Sequence, residues 1–220
     1  NPVGKGGGLS VGGEVEWVVN KGFTGLATDM IEVCEMGPGV FKGDSYIEGV
    51  SHNIWYASML IGRSLVGMRA GDVIRLTRLL KINYGINEVY GLGRKEMAPV
   101  LLYAAAFDNT ITRIALIEPY SSYQSIVMNH FYNSSFISGV VPGALKAYDL
   151  PDLAASLVPR MLLMANVTDG NSKSTDVESI NKDLEIIKTA YHSRNADKNL
   201  NIVTLKQNEK LNDFLMEWIK

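Results

Sequence analysis

Short apolar segments alternate with helical patterns along most of the chain. Apolar residues recur three or four positions apart in the helical patterns, whereas the short segments are continuously apolar, as in strands buried on both faces. The pattern predicts strands at residues 23–29, at the start of the segment 87–108, and at 111–117, 161–167 and 201–205. It predicts helices at residues 14–21, 53–80, the end of 87–108, 150–157, 175–192 and 208–220, with a break in the second near Gly62 or Gly67.

This order of elements predicts the fold class. Strand and helix alternate five times, which is typical of a mainly parallel sheet with helices on both faces. No internal repeat or low-complexity linker divides the chain. We therefore expect residues 1–220 to form a single three-layer α/β/α domain with about five strands.

Two long stretches show neither the helical spacing of apolar residues nor the continuous apolar run of a buried strand. Residues 31–46 contain the turn-forming Gly37-Pro-Gly39 and are predicted as a loop. Residues 118–149 are rich in Tyr and Ser, and a segment this long inside a compact domain is usually a lid or a binding segment. We interpret residues 118–149 as a lid-like insertion.

Composition excludes several classes of function. The formal net charge of -2 and the absence of a Lys/Arg cluster argue against nucleic acid as a partner. No stretch approaches the roughly 18 apolar residues of a membrane span. The lone Cys34 excludes an internal disulfide. Neither the compartment nor the oligomeric state follows from these residues.

The segment 87–108 has the order strand, glycine turn and alanine-rich helix, with the turn Gly91-Leu-Gly-Arg-Lys95. Such a turn aims one side chain and several backbone N–H groups at one point. Nucleotide-binding loops and the nucleophile elbow of α/β-hydrolases share this geometry.

Four sequence blocks resemble a known family: residues 62–74, the turn at Gly91, residues 143–154 and residues 160–169. With the order of elements, they make the chain similar to α/β-hydrolases of the acetyl xylan esterase-like branch, which belongs to the bacterial carbohydrate esterases. In such hydrolases the first strands of the sheet precede the segment that begins at Asn1. The resemblance therefore implies part of a longer protein, without the N-terminal strands and without one donor of the oxyanion hole.

The resemblance also locates the catalytic triad, which is degenerate here. The nucleophile of Gly-x-Ser-x-Gly matches Gly93, which has no side chain, and the last glycine matches Lys95. The acid matches Asp169, which either keeps that role or caps a turn. The base would follow the last strand, but residues 206–210 contain no histidine.

The three histidines, His52, His130 and His192, match no family position. His130 is the best placed of them as a base, because a lid can fold over a site. Near the turn, Arg94, Lys95 and Glu96 are candidate ligand-binding residues that could recognise an anionic sugar such as a uronic acid. The aromatic residues of the lid suit either stacking on sugar rings or covering the sheet: Tyr120, Tyr123, Phe131, Tyr132 and Phe136.

A dinucleotide site and a metal site are rival interpretations. In a dinucleotide motif, Gly91 and Gly93 would be followed by a third glycine at the position of Glu96, and Glu118 would contact the ribose. The charge of Glu96 argues against this site. Acidic residues near predicted strand ends could bind a metal, but no histidine cluster accompanies them: Asp29, Glu32, Glu35 and Asp169. We expect neither a cofactor nor a metal.

Two hypotheses follow. In the first, the chain is a non-catalytic relative of carbohydrate esterases with a scaffolding role or a carbohydrate-binding role, in which it binds a plant-type polysaccharide or oligosaccharide. In the second, it is an esterase or other hydrolase, either with a rearranged site or with the missing parts supplied by the rest of a longer chain. The resemblance alone suggests a periplasmic or secreted location.

Overall fold

The computed structural model describes residues 14–31, 46–47 and 50–219. The predictions at Glu32, Cys34, Glu35 and the turn 37–39 lie outside these residues. The α-helices are α1 (Glu14–Asn20), α2 (Asn53–Leu60), α3 (Leu65–Tyr84), α4 (Met97–Phe107), α5 (Tyr123–Val127), α6 (Leu150–Ala155), α7 (Val177–Ser193) and α8 (Leu211–Ile219). The strands are β1 (Tyr46–Ile47), β2 (Val50–Ser51), β3 (Val89–Arg94), β4 (Ile111–Ile117), β5 (Met161–Ala165) and β6 (Leu200–Val203).

The main sheet has four strands in the order β3-β4-β5-β6, and every neighbouring pair is parallel. One row of the ladder joins Gly93, Leu116, Met164 and Ile202. Because all four strands run the same way, their carboxyl ends meet at one edge, where ligand sites of open α/β sheets lie.

Helices cover both faces of this sheet. One face packs against α4, α6 and α7 and contains the larger hydrophobic core. The other packs against α8, where Leu215, Trp218 and Ile219 contact Ala115 and Leu163. The predicted α/β/α arrangement with a parallel sheet is therefore confirmed.

The predicted break in the helix 53–80 is confirmed near Gly62. The helix is divided into α2 and α3 between Leu60 and Leu65, and Gly62 in this break has a φ of 70°. The predicted strand at residues 23–29 is wrong, because these residues form no ladder with β3. They pack against α1, where a Cβ at Gly25 would lie 3.0 Å from Val15 Cγ1.

The glycines of α3 give a test of helix packing. A Cβ at Gly71 would have Arg75 Nη1 at 3.9 Å as its nearest neighbour, so Gly71→Ala should fit without strain. We expect Gly71→Ala to raise the free energy of unfolding, measured by urea denaturation, by about 0.5–1 kcal/mol. The reason is that alanine leaves the unfolded chain fewer backbone conformations than glycine does. Gly67→Ala is the control expected to destabilise, because its Cβ would lie 2.9 Å from Oγ of the N-cap Ser64.

Candidate functional site

Three adjacent strands end in the same way at the carboxyl edge. The residue after each strand has a left-handed backbone: φ is 51° at Lys95, 53° at Glu118 and 54° at Asn166. Such a conformation is uncommon for residues with a Cβ and turns the chain sharply. The N–H group of each still bonds to the next strand, Lys95 to Ile117 O (2.9 Å), Glu118 to Ala165 O (2.8 Å) and Asn166 to Val203 O (2.9 Å).

The corner between β3 and α4 is formed by Lys95, not Gly93. Gly93 is buried inside β3, and a Cβ there would lie 2.9 Å from Met97 O and 3.2 Å from Ala98 Cα. A side chain at Gly93 would therefore point into the backbone of α4 and not towards a ligand. The assignment of Gly93 as the vacant nucleophile position stays a prediction. The residue at the corner itself is Lys95, two positions later.

Charged side chains surround this corner. Lys95 Nζ lies 3.5 Å from Glu118 Oε2, and Arg94 Nη1 lies 3.8 Å from Glu118 Oε1. All three side chains are partly exposed, so solvent weakens each ion pair. Two cations thus lie near one carboxylate, and a second carboxylate, that of Glu96, belongs to the N-cap residue of α4.

Glu96 points away from this ion pair, towards the lid-like segment. Ser135 Oγ lies 2.6 Å from Glu96 Oε1 and 2.7 Å from Asn133 Oδ1, and its one proton can bond to only one of them at a time. Asn133 Nδ2 donates in turn to Ser172 Oγ at 2.8 Å. Glu96 Oε2 is buried and has no hydrogen bond within the described part of the chain.

Asp169 is held within its own loop. It is 4% exposed, and its Oδ1 accepts from the N–H groups of Asn171 (2.9 Å) and Lys173 (3.0 Å). Its Oδ2 accepts from Thr175 Oγ1 at 3.1 Å. The carboxylate therefore organises the turn after β5, which is the second of the two roles that the sequence leaves open. None of these three donors is a histidine.

Two of the three histidines, His130 and His192, lie at the surface. His130 is exposed, and its ring centroid lies 4.8 Å from that of Phe131. His192 Nδ1 lies 3.0 Å from Asp197 Oδ1, and both side chains are exposed. In the residues that the structure describes, neither histidine forms a hydrogen bond with a serine. The loop after β6 is closed by a bond from Lys206 N to Glu209 Oε2 at 3.0 Å.

Three aromatic residues of the segment 118–149 pack into the core. Tyr120, Tyr123 and Phe136 are each at most 2% exposed, and Tyr120 donates to Gly139 O at 3.0 Å. Burial raises the pKa of the Tyr120 hydroxyl well above its usual value, so it stays protonated at neutral pH. These three rings therefore pack in the core, which agrees with the predicted role of covering the sheet.

Asp149 fixes the far end of this segment to α5. Its carboxylate accepts from the N–H groups of Tyr123 (2.7 Å), Gln124 (3.0 Å) and Leu150 (2.6 Å). Burial raises the pKa of the Asp149 carboxyl despite these bonds. The exposed part of the segment lies between its anchored parts, where Met128 is 75%, Phe131 77% and Tyr132 43% exposed.

The sequence predictions located Arg94, Lys95 and Glu96 beside the turn, and the structure places all three there. They missed Ser135 and Asn166, and considered Glu118 only as a ribose contact. A usable signal existed for two of these, because Glu118 and Asn166 each follow an apolar strand segment directly. A polar residue at that position lies at the carboxyl edge of a parallel sheet.

Within the described ranges, no three His, Cys, Asp or Glu side chains come together in a way that could hold a metal ion. Among the helices that the structure describes, none combines the length and apolar character needed to cross a membrane.

Comparisons with known proteins support the fold. No protein-family profile matches the chain, and no curated protein matches it by sequence. A solved structure from Bacteroides fragilis, of a protein proposed to be an acetyl xylan esterase, is similar with a TM-score of 0.65 and 15% identity. The match covers 89% of this chain and 50% of that one, so this chain spans about half the length of the matched protein. The chain thus has an α/β-hydrolase-like fold, shared with an esterase-like protein.

Proposed function

We propose that this protein is a relative of carbohydrate esterases that binds an anionic oligosaccharide at the carboxyl edge of the sheet and lacks the ordinary serine mechanism. The observation that carries the proposal is Lys95 at the strand-helix corner, in ion-pair distance of Glu118. The corner thus presents an ammonium group and not a hydroxyl. Acyl transfer through a serine then has no attacking oxygen at the corner.

The same corner has the groups that an acidic sugar requires. Lys95 and Arg94 supply positive charge, and the N-cap residue Glu96 makes no side-chain capping bond to the first turn of α4. In the first turn of α4, Ala98 N already donates to Lys95 O and Pro99 has no N–H group. Met97 therefore supplies the N–H group that a carboxylate could use. The exposed ring of Phe131 lies four residues before Ser135, which contacts Glu96. These features favour a uronic acid-bearing oligosaccharide over a neutral one.

Replacing Lys95 should weaken this binding. We expect Lys95→Ala to raise the Kd for an oligosaccharide of xylose with glucuronic acid about five- to tenfold, measured by titration calorimetry, as for the loss of one charge-assisted contact. Lys188→Ala is the matched control, because both lysine side chains are 48% exposed and lie 3.5 and 3.6 Å from a glutamate. Equal affinity of Lys95→Ala and Lys188→Ala would contradict the proposed site.

One observation favours an active hydrolase with a rearranged site. Ser135 Oγ lies 2.6 Å from Glu96 Oε1, within the reach of a hydroxyl and a carboxylate base. Assays with 4-nitrophenyl acetate and acetylated xylan separate the two functions. The binding function predicts no turnover above that of the buffer, whereas turnover that is lost in Ser135→Ala would establish the rearranged hydrolase.

A further inference from the structure

The carboxylate of Glu118 lies between two cationic side chains at the carboxyl edge of the sheet. Its Oε2 is 3.5 Å from Lys95 Nζ and its Oε1 is 3.8 Å from Arg94 Nη1, so each oxygen faces a different cation. A direct charge-assisted hydrogen bond has a length of about 2.7–2.9 Å. Charge attraction therefore holds Glu118 in the space between the two side chains, at more than hydrogen-bond distance from both.

The backbone of Glu118 is fixed, whereas its side chain is partly exposed. Glu118 N donates to Ala165 O at 2.8 Å, and the preceding Ile117 O accepts from Lys95 N at 2.9 Å. These bonds to both neighbouring strands hold the residue in its left-handed conformation, with a φ of 53°. Because the side chain is 32% exposed, a change of rotamer moves its carboxylate into solvent and leaves the sheet unchanged.

The position of this carboxylate matters for an acidic ligand. A ligand carboxylate that contacts both Arg94 and Lys95 has to come between them, where Glu118 already lies. Two like charges at such short range repel each other, so the two carboxylates do not share this space. An acidic ligand therefore competes with Glu118 for the two cations, whereas a neutral ligand has no need of them.

We propose that Glu118 is a specificity-determining residue, an internal competitor that an acidic ligand displaces from Arg94 and Lys95. The inference rests on the binding function proposed above and adds what limits the affinity for acidic ligands. A tethered carboxylate acts at a local concentration of the order of millimolar or more, so a small free anion displaces it poorly. An acidic oligosaccharide displaces it because contacts of the other sugar units offset the lost ion pairs.

The test compares two ligands by titration calorimetry: the oligosaccharide of xylose with glucuronic acid, and a neutral xylose oligosaccharide of the same length. We expect Glu118→Gln to lower the Kd of the acidic ligand about three- to tenfold, as for the removal of two competing, partly exposed ion pairs. The Kd of the neutral ligand should change less than about twofold. Added salt should weaken binding of the acidic ligand more in Glu118→Gln than in the wild type, because the charge of both cations is then open to the ligand.

Two further variants control for other effects of the substitution. Glu185→Gln is the matched control, because Glu185 Oε2 lies 3.6 Å from Lys188 Nζ in an exposed pair of α7. Glu118→Asn is a second neutral variant, chosen because Asn166 has the same left-handed backbone at the end of the next strand, with a φ of 54°. We expect all three variants to unfold near the wild-type urea concentration.

The outcomes separate this inference from the binding function. A Kd of the acidic ligand that is unchanged or raised in both Glu118 variants would overturn the inference, and a raised value would mean that Glu118 contacts the ligand. The binding function would still stand if Lys95→Ala weakened binding in the same experiment. Absence of binding in the wild type and in every variant would overturn both.

Discussion

Gly93→Ser should destabilise the protein by about 2–3 kcal/mol and give no esterase activity, because overpacking at a tight contact costs this much. The new Cβ would lie 2.9 Å from Met97 O and 3.2 Å from both Ala98 Cα and Leu101 Cβ. Two of these atoms belong to the backbone of α4 and cannot rotate away. The hydroxyl would be buried between β3 and α4, where no substrate reaches it.

Urea denaturation and turnover of 4-nitrophenyl acetate measure the two expected results. Lys95→Ser is the matched control, since it introduces the same hydroxyl two residues later at the exposed corner. We expect it to change the free energy of unfolding by less than about 1 kcal/mol, because it removes a partly exposed ion pair. Wild-type stability together with new esterase activity in Gly93→Ser would support Gly93 as the vacant nucleophile position.

The displacement of the corner from Gly93 to Lys95 shows why the site was only partly predictable. The segment 87–108 reveals a strand, a turn and a helix, but the motif Gly-x-Ser-x-Gly can be placed at Gly91 or at Gly93. A shift of two residues keeps every strand side chain on the same face, so the apolar pattern fits both placements. The turn residue is a lysine in the left-handed region, and a residue with a Cβ gives little sequence signal for that conformation.

The fold was more predictable than the site because its strands are buried on both faces. Continuous apolar runs at 111–117 and 161–167 correspond to β4 and β5, which have neighbours on both sides. Residues 23–29 have a similar composition but no ladder partner. Whether an apolar segment pairs with another strand depends on residues that are distant in the sequence, so the local pattern of apolar residues does not predict it.

Tertiary contacts also determine the partners of the site residues. Glu96 bonds to Ser135, which is 39 positions away, in a segment without a periodic pattern. Glu118 lies beside Lys95 because β3 and β4 are neighbours with Arg94 opposite Ile117. Neither pairing follows from spacing along the chain.

Asp169→Ala should destabilise the protein by about 1–3 kcal/mol, because a carboxylate that is 4% exposed gives up its hydrogen bonds to two N–H groups. These are the N–H groups of Asn171 and Lys173, and Thr175 Oγ1 loses its acceptor as well. The loop that Asp169 organises also packs tightly on α5, since a Cβ at Gly170 would lie 2.6 Å from Ile126 Cα. Loosening of the turn should therefore spread to α5.

Asp169→Asn separates this structural role from a catalytic one. The amide oxygen can still accept both N–H groups, and the amide nitrogen can donate to Thr175 Oγ1, so we expect a loss below about 1 kcal/mol. A triad acid would behave differently, because an amide at that position cannot stabilise a charged base. Esterase turnover that is present in the unaltered protein and lost in a stable Asp169→Asn variant would assign Asp169 to catalysis. Stability that falls in Asp169→Ala and is largely kept in Asp169→Asn, without turnover in either, would assign it to the turn after β5.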